Sequence, residues 1–215
     1  MKALTRFARR RGFTLIELMV VVALVAIILV LAAPSFKDMI VMRRLRGASA
    51  ELVTDVQFAR SEAVSRQQGV ALRFERAGPT GPQTCYSIAA CSRKDWVGCT
   101  CDCYQGAGNA CTAAANATEI RTVKIERERG IRVDPFTISP ALATSGLEMR
   151  FDPVTAGMKP IYIGVGNADY TPVDDVSGEV SVIDDGRTLR TIVSLAGRPS
   201  VCSPGGRVVG VSVCP

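Results

Sequence analysis

The 215-residue sequence contains no histidine. A Ser/His/Asp relay or a Cys/His nucleophile is therefore excluded, and the commonest acid–base side chain near neutral pH is missing. Aromatic residues make up 6% of the chain, and none falls between Arg187 and Pro215. That arginine-bearing tail has no ring on which a nucleobase can stack. No acidic residue precedes Glu17, and no cysteine precedes Cys85. No glycine-rich loop follows a strand pattern and opens a helix, so a phosphate cradle is absent. No period of 20–50 residues recurs, which excludes a repeat architecture. These absences argue against an enzyme and against any cofactor.

What is present begins with five cations, Lys2, Arg6, Arg9, Arg10 and Arg11, ahead of a long apolar run. Phe13 to Ala33 is broken only by Thr14 and Glu17. As a helix it spans about 31 Å, enough to cross a bilayer core of about 30 Å. The basic head stays on the cytoplasmic side, so everything after Ala33 is expected to be exported. Glu17 is the anomaly. A carboxylate near the start of a membrane helix costs a few kcal/mol, so a partner for it is expected. An ordinary secretory signal leaves Glu17 unexplained and puts Pro34 directly after its small-residue cut site.

Beyond the apolar run Pro34 is expected to kink the helix rather than end it. Leu45, Ala48, Leu52, Val56, Ala59 and Ala63 then recur at steps of three and four, while Arg43, Arg44, Glu51, Asp55, Arg60 and Glu62 fall mostly elsewhere on the wheel. Gln67-Gln68-Gly69 is the expected stop, with glycine in the left-handed cap. Strand patterns follow at Val70–Phe74, Cys85–Ile88, Ile120–Ile125 and Leu147–Phe151, with a turn at Gly78–Pro82. A hairpin is expected to join Glu179–Ile183 to Thr188–Leu195 through Asp184-Asp185-Gly186-Arg187. The fold class is α+β: a long N-terminal helix, membrane half plus amphipathic half, packed on a largely antiparallel sheet. The expected organisation is a leader at 1–12, a transmembrane helix at 13–41 and an exported domain at 42–215 with a cysteine-rich insertion at 85–111.

Gly12-Phe13-Thr14-Leu15-Ile16-Glu17-Leu18 and the uncharged span after it resemble the type IV prepilin signal of bacterial pilins and type II secretion pseudopilins. The resemblance implies that a prepilin peptidase cuts after Gly12 and N-methylates Phe13. It also implies that Glu17 pairs with the terminal amine of a neighbouring subunit during assembly. A cationic amine suits a buried carboxylate. Ala59–Val64 leading into Gly69–Leu72, Phe151-Asp152-Pro153, and the closing Leu195–Gly206 resemble the FimT/GspH-type minor pilins and minor pseudopilins. That implies a minor pilin that integrates into, and primes or caps, a type IV pilus. Its partners would be other pilin or pseudopilin subunits, the prepilin peptidase, the inner-membrane assembly platform and membrane lipid. It would start as a single-pass inner-membrane protein with a periplasmic domain and finish in a pilus or pseudopilus. A minor pseudopilin of type II secretion is the alternative within the same family.

Eight cysteines, Cys85, Cys91, Cys99, Cys101, Cys103, Cys111, Cys202 and Cys214, all lie in the exported part and are disulfide candidates. Cys202 and Cys214 form a natural pair around Pro204-Gly205-Gly206, and the other connectivities stay open. A metal site is disfavoured, because zinc pairs are spaced Cys-x2-4-Cys and here only Cys-x-Cys occurs. Asp174-Asp175 and Asp184-Asp185 sit among turn residues and are explained by local backbone bonding. Asn116-Ala117-Thr118 fits a glycosylation sequon but has no role in a bacterium. The net charge of +6 falls to +1 once the five leader cations are removed, so no global field steers DNA. Locally, Arg187, Arg190, Arg198 and Arg207 stand without an acid in the tail and are the possible DNA contacts of a pilus-tip receptor. Gly197-Arg198-Pro199-Ser200 lacks the second arginine of the Gly-Arg-x-Arg element in DNA-binding relatives. Solvated arginines on an edge hairpin are the preferred reading.

Overall fold

The computed structural model describes residues 12–75, 83–92, 101–111, 116–126, 129–136, 147–159, 161–164, 170–173, 177–183 and 185–215. Residues 1–11 of the expected leader, the expected turn at Gly78–Pro82, Cys99, Asp174-Asp175 and Asp184 lie outside them. The chain divides into a unit ending at Ile40 and a unit spanning Val41–Pro215.

The first unit is helical from Leu15 to its end, as part of helix α1 (Leu15–Arg66). From Leu15 to Leu31 every residue is exposed. Among the described residues no single helix is by itself long and apolar enough to cross a membrane. Leu15–Leu31 and Phe36–Arg66 taken together meet that test by length and composition. The expected kink at Pro34 falls on residues 32–35, whose side chains are outside the described set.

In the second unit the remainder of α1 supplies one wall of the core. Leu45, Leu52, Val56, Ala59 and Ala63 are fully buried and Ala48 packs beside them. The helix ends at Arg66, two residues short of the expected stop, and the left-handed position is taken by Gln67 (φ 54°) rather than Gly69. Gln67 N donates to Val64 O at 3.2 Å and Gln68 N to Ala63 O at 3.3 Å. This is the paired bonding of a Schellman cap, and it frees Gly69 to open strand β1 (Gly69–Glu75).

The remaining strands are β2 (Gln83–Cys91), β3 (Ala117–Glu126), β4 (Ile131–Phe136), β5 (Leu147–Phe151), β6 (Met158–Lys159), β7 (Ile161–Gly164), β8 (Tyr170–Val173), β9 (Ser177–Val182), β10 (Thr188–Val193) and β11 (Pro199–Cys202). They form a five-stranded sheet in the order β3-β2-β1-β5-β6, a four-stranded sheet β11-β10-β9-β4, and the pair β7-β8. All ladders are antiparallel. The protein is thus α+β, a long helix packed on antiparallel sheet.

Val70, Leu72 and Phe74 of β1, Tyr86 and Ile88 of β2, and Met149 and Phe151 of β5 face the α1 stripe in one buried cluster. Val133, Val180 and Leu189 of the second sheet belong to the same cluster. The sheets meet closely at Gly178. A Cβ there would lie 2.7 Å from Phe74 Cζ and 2.8 Å from Leu52 Cδ2. Thr84 Oγ1 also accepts from Val133 N at 2.9 Å, tying β2 to β4.

Asp55 departs from the helical-wheel expectation, because it is 1% exposed rather than solvated. Tyr86 Oη donates to Asp55 Oδ2 at 2.7 Å, and Arg121 reaches both Asp55 (3.3 Å) and Glu51 (2.7 Å). Burial pushes the Asp55 carboxyl above the usual carboxylate range, opposed by the Tyr86 bond and the Arg121 charge. Burial beside that carboxylate also pushes the Tyr86 hydroxyl far up. The helix–sheet seam therefore has a polar peg among its apolar contacts.

The opposite face of the first sheet carries small residues, Cys85, Ser87, Ala89 and Cys91 of β2 and Ala71 of β1, beside the ion-paired Arg73 of β1 and Glu148 and Arg150 of β5. The cysteine-rich insertion packs on this face, with Cys101, Ala110 and Cys111 clustered on Ala89, while Ala71 and Cys91 form a separate small cluster with Ala117 of β3. Cys85 bridges Cys103, within the short 3₁₀ turn Cys103–Gln105, and Cys101 bridges Cys111. Cys91 is also disulfide-bonded. Adjacent thiols thus go to separate partners. Glu119 of β3 accepts from Gly108 N and Ala110 N, each at 2.8 Å. Burial pushes the Glu119 carboxyl up, but the bonds from Thr122 and these two amides outweigh it and leave the group below its ordinary range.

Candidate functional site

Two parts of the molecule carry candidate chemistry, and they belong to different units. The first is the start of α1. Gly12, Phe13 and Thr14 precede the helix, and Thr14 caps it. The Thr14 carbonyl accepts from Leu18 N at 3.2 Å and its hydroxyl accepts from Glu17 N at 3.3 Å. The Thr14-x-x-Glu17 spacing is the signature of a capping box, a local signal that a motif-based reading of Glu17 overlooks. A carboxylate in the first turn is also favoured by the helix dipole. Neither effect covers the segment. Phe13 is 82% exposed, and among the described residues the Glu17 carboxylate has no partner.

The second is a groove of about 620 Å³ on the globular unit, built where three distant segments meet. The α1 segment contributes Gln57, Arg60, Ser61 and Val64. Ala156 comes from the turn after β5, and Arg198 and Pro199 from the turn between β10 and β11. These segments overlap or adjoin the stretches singled out in sequence, Ala59–Val64, Phe151-Asp152-Pro153 and Leu195–Gly206. Sequence showed them as separate motifs, and only the fold brings them together.

The geometry at the junction is fixed by backbone. Asp152 Oδ1 accepts from Val154 N at 2.8 Å and Thr155 N at 3.0 Å, and this turn carries Ala156 at φ 55°. The Ala156 carbonyl accepts from Arg60 Nε at 2.8 Å. Met158 N donates to Leu195 O at 2.9 Å, joining the two turns. Gly197 sits at φ 72°, and a Cβ there would lie 2.6 Å from Ala156 O and 3.2 Å from Arg60 Cδ. Any other residue at 197 would push the walls apart.

The four tail arginines do not form one patch. Arg187 pairs with Asp185, and Arg190 pairs with Glu179 of β9 at 2.7 Å. Hydrogen bonding to Arg187 holds the Asp185 carboxyl below its usual range. Arg207 Nη1 donates to the Asp185 carbonyl at 3.3 Å. Arg198 is exposed, and among the described residues its guanidinium makes no bond. The local +4 read from the tail is therefore offset by carboxylates from the paired strand and turn, which a linear count cannot see. Cys202 bridges Cys214 with Cα atoms 4.9 Å apart, closing the tail behind the groove wall. Among the described residues no group of three or more acidic or cysteine side chains is placed to hold a metal.

A pattern described as the prokaryotic N-terminal methylation motif matches residues 7–33. The family described as type II transport protein GspH matches residues 48–197. No curated protein matches this chain. Among solved structures, the type IV minor pilin FimU of Pseudomonas aeruginosa is similar at 17% identity and a TM-score of 0.41, covering 74% of this chain and 88% of that one. With the methylation motif at its head and the GspH match running from the buried helix stripe through both sheets to Gly197, the chain belongs to the GspH family of type IV pilin-like minor pilins and pseudopilins.

Proposed function

We propose that this protein is a minor pilin that enters a type IV pilus through its N-terminal helix and primes or caps the filament. The carrying observation is the uncovered segment Phe13–Leu31, apolar except at Thr14 and Glu17, in a chain whose other unit buries a core of its own. Lipid covers such a segment before assembly and other subunits' helices cover it afterwards. Cutting after Gly12 would create an amine on Phe13, still cationic after methylation. Glu17 of one subunit and the amine of the next would then satisfy each other as they leave the bilayer. The pair would set axial register while apolar helices supply the contact area.

This reading places the protein in the inner membrane with its globular unit in the periplasm, served by a prepilin peptidase and an assembly platform. The description of the matched family favours a second reading, a minor pseudopilin of type II secretion. The two differ in the machine joined rather than in chemistry. A DNA-receptor role is weakened by the carboxylates that answer Arg187 and Arg190.

Glu17→Val in the full chain is expected to preserve membrane insertion and abolish recovery in sheared filaments. Recovery at the wild-type level would refute the pairing. Mass spectrometry of the mature chain should find methylated Phe13 at its start.

A further inference from the structure

The lining of the groove between α1 and the two turns has an unbalanced composition. Among the described residues it holds two guanidiniums, Arg60 and Arg198, and no carboxylate. Arg60 is oriented by its Nε bond to Ala156 and lies against Gly197, the neighbour of Arg198. The remaining donors of Arg60 have no partner among the described residues, and neither does the Arg198 side chain. Elsewhere on the same hairpin the arginines are answered by Glu179 or Asp185. Leaving two cations unanswered at one concave site suits an incoming anion.

The apolar residues point to the same place. Among the described residues of Val41–Pro215, the exposed large apolar side chains are Phe58, Val64, Val154, Leu195, Val209 and Val213. Four of the six, all but Val209 and Val213, lie on the three segments that build the groove. Val154 is 88% exposed and Leu195 52%. Val64 lines the groove itself, and Phe58, Val154 and Leu195 flank its lining segments, apolar neighbours from which a phosphate backbone gains nothing. A peptide with an acidic side chain among apolar ones uses both features.

We propose that this groove docks an extended segment of a neighbouring pilin-like subunit, with a carboxylate of that segment held by Arg198 and Arg60 and its apolar residues laid on the rim. The identity of the partner as a subunit rests on the filament reading above; the anion-plus-apolar chemistry does not. The walls are preset, since Gly197 and Ala156 hold left-handed backbone that fixes both turns before any partner arrives. Arg198 is the specificity residue because its side chain has no structural task.

The test uses the full chain in cells that assemble filaments, with a photo-crosslinking amino acid at Gln57. A control probe at Val209 is apolar and exposed but lies about 16 Å along α1, beside Arg46. The expected adduct at Gln57 joins an Asp- or Glu-containing peptide of a protein bearing the N-terminal methylation motif. It falls at least about tenfold with Arg198→Glu, is retained with Arg198→Lys, and is absent at Val209. An intact Cys202–Cys214 bridge on a non-reducing gel shows that each variant is folded. Adducts to nucleic acid, lipid or a protein without the motif overturn the proposal, as do adducts indifferent to Arg198→Glu. Wild-type chain present in filaments without a Gln57 adduct sinks the groove alone. Wild-type chain absent from filaments sinks the filament reading, and this one with it.

Discussion

The five-stranded sheet is covered on both faces, by covers of different kinds. Toward α1 it presents Leu72, Phe74, Tyr86, Ile88, Met149 and Phe151, each essentially fully buried. Toward the cysteine-rich insertion it presents Ala71, Ser87, Ala89 and Cys91, equally buried but small. A buried Leu, Ile or Phe contributes about 1.5–3 kcal/mol by leaving water, so the helix side holds chiefly by area, with the Asp55–Tyr86 bond as its polar peg. Alanine and serine offer a fraction of that. The insertion is accordingly fastened by disulfides and by Glu119 accepting from two of its amides. Equal burial does not mean equal cause. One face is glued and the other is stapled.

The contrast is broken most forcefully from the helix side. Leu52→Ala is expected to cost about 3–4 kcal/mol in denaturant melts of the detergent-solubilised full chain. Gly178→Ala alone should cost about 1–3 kcal/mol by overpacking. Because Leu52 Cδ2 is the near neighbour of that missing Cβ, the double variant should cost less than the two single costs combined. Strict additivity would show that the two sites do not touch.

A smaller and more local effect is expected from the other face. Replacing Cys85 and Cys103 by serine should lower stability by about 2–3 kcal/mol. Amide exchange should rise first at 101–111, while the β1 and β5 amides keep their protection. Loss of protection across the whole sheet at once would mean that the two covers are one cooperative unit.

The smallest effect separates the faces by sign of pH response. Glu119 has a lowered value, so its contribution is present above its unfolded value of 4.5 and is lost as pH falls through the folded value. Asp55 has a raised value, so the folded chain takes up its proton more readily than the unfolded one. On that group stability rises as pH falls from the folded value toward the unfolded 3.8. As pH falls below 4.5 the protection factors at Gly108 and Ala110 should therefore drop while the α1 seam holds. Glu119→Gln should remove the pH dependence at those two amides; an unchanged profile would assign it to another group.

Legibility followed range. The stripe Leu45–Ala63 and the strands around Leu72, Ile88 and Met149 were readable because a helix or strand displays its period locally. The Asp185–Gly186 hairpin was readable because its turn chemistry is local, and Gly186 indeed sits at φ 69°. Asp55 was misread because its partners, Tyr86 and Arg121, are 31 and 66 residues away in sequence. The cap at Gln67 was displaced from Gly69 because the chain must already be extended at Gly69 to pair with Cys91. Strands β4, β6, β7, β8 and β11 went unread: all but β4 have four residues or fewer, and β4 carries Pro135 in its run.

By itself the sequence determined the apolar segment with its single carboxylate, the amphipathic stripe behind it and the placement of every cysteine beyond that stripe, because composition and periodicity act along the chain. Cys202–Cys214 was legible as a local pair, but only tertiary structure decided which of the other cysteines meet, which arginines are answered by acids, and that 57–64, 152–157 and 194–199 wall one groove. Those outcomes depend on closing long loops, and many closures have similar entropic cost. The choice among them is made by the packing of the whole core.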